Sequence, residues 1–337
     1  MEEVHQTTRT SVLQDRANDK TEDKQLPESA AGGTMSLPSS SSKGDFENKY
    51  LQLQMIMKGG FGCVYAGSRK SDDLPHINGK TYVVPTEVLI MNRVAGGEER
   101  MGKCAAVSLL DWYDLEDGFY LVMERPVPCV DLFTYTAIGL NEQEAKPPPA
   151  HHLLPAEKHL QRLTAVTQRL HRETEVLLHA PCHQGVIMKQ LVAAANEIHS
   201  QGVFHRDIKM ENVLVEIGSE APRVRLIDFG SSVQVRAEPF QTLEGTTSFF
   251  PPEYFVMKAY RAGPTTVWQL GAVLYEMLDN TLEFSTYRFL LKPHKFREQI
   301  GRLKVSQDCQ HFLRKCLTLD PQERSTLEEL LVHPWIH

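Results

Sequence analysis

The chain has 337 residues, 41% apolar and 23% charged, with a formal net charge of −7. That length and balance suit one large domain or two lobes with sizeable cores. The negative charge argues against nucleic acid or an anionic membrane as the main partner, and no run is long and apolar enough to span a bilayer.

Residues 1–45 are polar, of mixed charge, with Gly32-Gly33 and a serine run at 39–42, which predicts a disordered tail. No apolar stretch marks a secretory signal in residues 1–20. From Tyr50, Leu51, Leu53 and Met55 alternate with Gln52 and Gln54, the period of a strand. Gly59-Gly60-Phe61-Gly62 then forms a glycine-rich turn into a second strand through Val64. Glycines at such a turn let backbone approach a phosphate closely. Pro85-Thr86-Glu87 opens a helix carrying Val88, Leu89, Met91 and Val94. Residues 107–113 and 119–124 read as a hairpin about Glu116-Asp117-Gly118. Arg125-Pro126-Val127-Pro128 is a stiff connector, and Pro126 offers no backbone N–H.

Residues 146–184 break the pattern with a proline triplet and a candidate helix bearing Leu160, Leu163, Val166 and Leu170. His179, Cys182 and His183 lack the spacing of a zinc site, so a surface insertion is the simpler reading. The six cysteines contain no CxxC pair, as expected of free thiols in a reducing compartment. Residues 186–200 form an amphipathic helix that Gly202 ends. Residues 267–278 are apolar nearly all round, as a buried core helix is. Two further helices are expected at 310–317 and 326–332.

The chemistry is concentrated in His205-Arg206-Asp207-Ile208-Lys209-Met210-Glu211-Asn212 and in Leu226-Ile227-Asp228-Phe229-Gly230. This pair matches the catalytic loop and metal loop of a protein kinase. Phosphoryl transfer asks a protein mainly to place charges. Asp207 is suited to accept a substrate hydroxyl proton, and Lys209 to neutralise charge on the moving phosphoryl group. Asn212 and Asp228 offer the oxygen ligands that Mg2+ prefers.

From Tyr50 onward, outside the insertion, the chain resembles a serine/threonine protein kinase, and among these the Pim family most. Glu124-Arg125-Pro126, Leu132-Phe133, the Leu226 to Ser231 run, Pro251-Pro252-Glu253 and Val267-Trp268 carry the resemblance. It implies an α+β, two-lobed fold: a small antiparallel β lobe with one helix over 46–128, and a larger helical lobe over 129–337 that contains the insertion. It also implies ATP and Mg2+ as cofactors. The nucleotide is then expected at Ile56, Gly59, Gly60, Gly62, Val64, Glu87, Glu124, Asp131 and Leu214. Expected substrates are proteins with serine or threonine in arginine-rich sites, met by Asp131 and Glu211. A cytoplasmic monomer with access to the nucleus is expected.

Three departures qualify the resemblance. Met57 stands where the loop's first glycine belongs. Thr266 stands where most kinases carry an aspartate before Val267. No VAIK-type strand is found, so the sheet is expected to lack one strand and expose an edge. Lys80, followed by strand-like Thr81, Tyr82, Val83 and Val84, is the one lysine placed to substitute as phosphate clamp, although Asn78-Gly79 reads first as a turn. The alternatives are a pseudokinase acting as a binding module and a truncated product that folds poorly.

Overall fold

Seven residues near the start of the chain, Arg9–Asp15, form strand β1, the central strand of the first sheet. In a computed structural model, the described residues are 9–15, 43–58, 62–69, 85–116, 118–141, 183–217, 221–278 and 283–337. They divide into two units, one running to Pro126 and taking in Asp228–Gln234, the other holding Val127–Ile227 and Val235–His337.

In the first unit, α1 (Lys43–Lys49) leads into β2 (Tyr50–Lys58) and β3 (Gly62–Arg69). Then come α2 (Thr86–Ala95), β4 (Leu109–Leu115) and β5 (Gly118–Glu124). The five strands lie in the order β2-β3-β1-β5-β4, and every neighbouring pair is antiparallel. β2–β3 and β4–β5 are hairpins, the second turning through Gly118 at φ +136°, a conformation open to glycine.

β1 corrects two expectations. Within the tail expected to be disordered, Arg9–Asp15 is a strand and Lys43 opens a helix. The place of the missing strand between β3 and β5 is filled by β1, so the expected edge there is paired. The registers run from Arg9 opposite Ser68 to Asp15 opposite Gly62, and from Thr10 opposite Glu124 to Asp15 opposite Phe119. A composition average over 45 polar residues hides such a strand, because main-chain ladders on both sides need little from side chains.

α1 is fastened to the sheet by an aromatic cluster and one buried carboxylate. Phe46 and Tyr50 pack with Tyr113, Leu115, Tyr120 and Val122. Asp111 Oδ2 accepts from Lys49 Nζ at 2.7 Å and from the hydroxyls of Tyr50 and Tyr113 at 3.0 Å each. α2 buries Val88, Ile90, Met91, Val94 and Ala95, the helical spacing expected from the sequence, and keeps Glu87 in its first turn.

The second unit opens with β6 (Cys129–Asp131), α3 (Leu132–Asn141) and α4 (His183–Ser200). After β7 (Val203–Phe204) come β8 (Val213–Glu216) and β9 (Arg223–Leu226), which join β6 in a three-stranded sheet ordered β6-β8-β9. The remainder is helical: α5 (Pro252–Met257), α6 (Ala262–Leu278), α7 (Thr286–Leu291), α8 (Pro293–Arg302), α9 (Gln307–Cys316) and α10 (Leu327–Leu331).

α6 is the core helix read from the sequence, starting five residues earlier. Val267, Trp268, Leu270, Ala272, Val273 and Leu274 are all fully buried. Gly271 permits close packing on α9, since a Cβ there would sit 2.6 Å from Cys316 Cβ. Arg324 and Glu253 form a bidentate ion pair at 2.8 and 3.1 Å, with both side chains almost without exposure. The guanidinium also donates to the carbonyls of Pro264, Thr318 and Leu319, which offsets the cost of removing it from water. Among the described residues no helix is long and apolar enough to cross a membrane.

Candidate active site

Between β7 and β8 the chain makes a loop whose polar groups converge on Asp207. Arg206 adopts φ +68°, which turns the backbone sharply just before it. Asp207 N–H donates to His205 Nδ1 at 3.3 Å, so the other ring nitrogen, Nε2, carries the proton that meets Ile227 O at 3.1 Å. This fixes the imidazole as a brace between the two motifs that the sequence singled out.

The Asp207 carboxylate is buried and fully engaged. Oδ1 accepts from Thr246 N–H at 2.7 Å. Oδ2 accepts from Lys209 Nζ at 2.8 Å and from Asn212 Nδ2 at 3.2 Å. Burial alone would raise its pKa, but hydrogen bonds from Lys209 and Thr246 and the Lys209 charge outweigh that and hold it below the ordinary value. Asp207 is therefore a carboxylate at neutral pH, as a group that orients and accepts from a hydroxyl must be.

Lys209 Nζ also donates to Thr246 Oγ1 at 2.9 Å, and Asn212 Nδ2 to the Asp207 carbonyl at 2.9 Å. Asn212 thus uses its NH2 group within the loop, which leaves its carbonyl oxygen as the atom suited to a hard cation. Asp207, Lys209 and Asn212 are brought together as the sequence spacing suggested.

Three contributors were not read from the sequence as site residues. Thr246 bonds both Asp207 and Lys209. Gly245, at φ +96°, lets the segment approach, because a Cβ there would lie 2.8 Å from Arg206 O and 3.2 Å from Asp207 Oδ1. Gln269 of α6 donates to Arg206 O at 2.5 Å and accepts from Ile208 N–H at 3.4 Å. Thr266, which replaces the usual aspartate, bonds His199 Nε2 at 2.8 Å instead. The loop backbone is held by the carboxamide three residues on.

Within the first unit, Asp228 is exposed and takes φ +63°, with Oδ1 accepting from Gly230 N–H at 3.3 Å. Phe229 beside it is fully buried and anchors the turn. Glu87 reaches the same turn: a Cβ on Gly230 would lie 3.8 Å from Glu87 Oε2. An exposed carboxylate on a fixed turn suits an oxygen ligand for magnesium. Among the described residues no cluster of three or more His, Cys, Asp or Glu could hold a metal by itself.

Other expected nucleotide residues have visible structural duties. Glu124 is buried, and its two oxygens accept from Gly102 N–H at 2.8 Å and Ser108 N–H at 3.1 Å. Its carboxylate therefore braces the loop before β4. Asp131 caps α3, accepting from Thr134 N–H and Oγ1 at 2.8 Å each. Leu214 lies directly opposite Asp131 in the β6–β8 pair. Ile56 is exposed and sits at an irregularity of β2, between Met55 opposite Tyr65 and Met57 opposite Val64. Gly62 opens β3. Gly59, Gly60 and Lys80 lie outside the described residues, as do His179 and Cys182 and most of the 146–184 insertion.

A two-unit α+β fold, with a loop built around an ionised Asp207 beside Lys209 and Asn212, is that of a protein kinase domain. The protein kinase domain family matches residues 50–336, and the chain belongs to that family. It is 28% identical to serine/threonine-protein kinase pim-2 of Danio rerio over 317 residues, covering 89% of this chain and 88% of that one. Serine/threonine-protein kinase prk-2 of Caenorhabditis elegans is 27% identical over 300 residues, 86% of this chain and 59% of its own. Serine/threonine-protein kinase SRK2C of Arabidopsis thaliana is 36% identical over 160 residues, 44% of this chain and 45% of its own.

Proposed function

We propose that the chain is an ATP- and Mg2+-dependent serine/threonine protein kinase with a Pim-like preference for arginine-rich sites. The observation that carries this reading is Asp207, ionised and held by Thr246, Lys209 and Asn212. A purely structural loop has no need of a carboxylate, an ammonium and an amide meeting at one point. Asn212 and Asp228 are the residues that would hold Mg2+, which when bound would neutralise charge on the phosphates. Asp207 orients the substrate hydroxyl and takes its proton. Lys209, within reach of the same carboxylate, offsets charge on the transferred group.

The preference for basic substrates rests on carboxylates near the loop. Glu211 is exposed in the turn Met210–Asn212. An exposed carboxylate there favours approach of a cationic peptide. The similarity to pim-2 along most of both chains supports serine and threonine as the acceptor residues.

The test is phosphate transfer from Mg-ATP to an arginine-rich peptide by wild type and Asp207→Asn. The variant keeps the shape and loses the charge, so the rate should fall roughly 10²–10⁴-fold while nucleotide affinity changes little. Equal rates would remove Asp207 from the chemistry. One observation favours the second reading, a pseudokinase. β1, the strand between β3 and β5, contains no lysine; its one cation is Arg9, opposite Ser68, while Asp15 lies opposite Gly62 at the glycine-turn end. A wild type that binds Mg-ATP yet transfers nothing in a single turnover would establish that reading.

A further inference from the structure

We propose that the gap between β3 and β5 is a docking slot for an extended segment, and that residues 9–15 of the same chain enter and leave it while the rest of the first unit stays folded. The inference holds whether or not the chain transfers phosphate. It starts from topology. Among the described residues the sheet is two hairpins, β2–β3 and β4–β5, whose only hydrogen-bonded link within the sheet is β1. Each hairpin is closed by a few residues, from Lys58 to Gly62 and from Leu115 to Gly118. β1 ends at Asp15 and α1 begins at Lys43, so β1 is far along the chain from every strand it meets, unlike the strands within each hairpin.

Side-chain content points the same way. β1 reads Arg-Thr-Ser-Val-Leu-Gln-Asp, with Val12 and Leu13 its large apolar residues. β5 has Phe119, Tyr120, Leu121, Val122 and Met123 in the same length. Ordering a strand costs backbone freedom at every residue, whatever its side chain. Apolar groups must offset that cost, and the sequence of β1 carries fewer of them than that of β5.

Departure of β1 does not require the hairpins to part. Tyr50 begins β2 and packs on Tyr113 of β4, with Phe46 between them and Tyr120 of β5. Lys49 and Tyr50 are both bonded to Asp111 of β4. α1 and its cluster thus tie the hairpins together independently of β1. What opens is a slot with unpaired main-chain groups on both walls. It fits an extended, proline-free segment running antiparallel to both, the main-chain mode of β-strand addition.

The experiment uses the full chain and its own half-buried free Cys63, which lies opposite Gln14. Cα atoms directly opposite in an antiparallel pair are about 4.5 or 5.5 Å apart. Both values lie within the range that a disulfide spans, about 4.4–6.8 Å. Gln14→Cys should form an intramolecular disulfide with Cys63 on mild oxidation. Leu13→Cys, one residue out of register and on the opposite face, should not. Amide exchange then reads the opening. In the reduced variant, segments 9–15 and 62–69 should exchange at least about tenfold faster than 109–115, and the disulfide should abolish the difference. No disulfide, equal trapping by Leu13→Cys, or exchange that the disulfide leaves unchanged would each overturn the proposal. A disulfide-linked dimer would overturn it by showing that the slot takes the segment of a second copy.

Discussion

Gln269 lies in a run of α6, residues 267–274, that is wholly buried. A carboxamide in such a place has to find partners, and it finds Arg206 O and Ile208 N–H. Gln269→Leu keeps the volume but leaves both main-chain groups unpaired. Each should cost about 1–3 kcal/mol, measured by urea unfolding, and transfer should slow because Asp207 follows Arg206 directly. A stability equal to that of wild type would show that water or a shifted side chain takes over. His199 offers a second test. Burial, with the charge of His205, lowers its pKa from 6.5 to about 4 against the opposing pull of Glu328. A histidine held neutral in the folded state contributes stability that is present above about pH 6.5 and lost as pH falls through about 4. The effect is up to about 3 kcal/mol for a shift of this size. Glu276, raised from 4.5 to about 7, has the opposite sign: its contribution is present below about pH 4.5 and lost as pH rises through 7. The two partly cancel in wild type. Denaturant unfolding of His199→Gln between pH 4 and 7 should therefore show a stability that falls less steeply with acid than that of wild type. Parallel curves would remove His199 as a contributor.

At the scale of elements, the ion pair between α5 and the segment before α10 has a predictable strength. Arg324→Met leaves Glu253 charged and buried, at a cost of about 3–5 kcal/mol. Adding Glu253→Gln should recover much of the loss, since the stranded charge rather than the missing bond is the larger penalty. A double variant no more stable than the single one would refute that account. The elements also show what a sequence reading reaches. α2 was legible from an apolar stripe at helical spacing, α6 from a run apolar nearly all round, and the β4–β5 hairpin from two apolar runs about Glu116-Asp117-Gly118. Asp207, Lys209 and Asn212 were legible because the chemistry fixes their types at close spacing. Thr246 and Gly245 were not legible as site residues, since their partner Asp207 stands far from them along the chain. Gln269 left a trace, one amide in an apolar run, that points to a buried partner without saying which. β1 was missed because its stability comes from two neighbours, while its own composition is that of a tail.

Taken whole, the molecule carries a net charge of −7, and a kinase acting on cationic sites would use that field over distances longer than a contact. The screening length falls from about 10 Å at 0.1 M salt to about 3 Å at 1 M. KM for an arginine-rich peptide should rise over that range with little change in kcat, and KM for a neutral peptide should hardly move. A kcat that falls while KM stays constant would place the salt effect in the loop around Asp207 instead.

The placement of β1 also has a consequence for how the protein is made. Val12 pairs with Tyr65 on one side and with Val122 on the other. Residues 9–15 are synthesised before both neighbours, and the second of these, β5, follows about a hundred residues later. At roughly 5–20 residues per second, that interval is on the order of ten seconds of synthesis. In the first half of it the nascent segment has no partner; in the second half it has β3 alone, and the open edge of that pair can meet any other extended chain nearby. β1, made before the other four strands of its sheet, is thus fully paired only once β5 has emerged, and the sheet closes then.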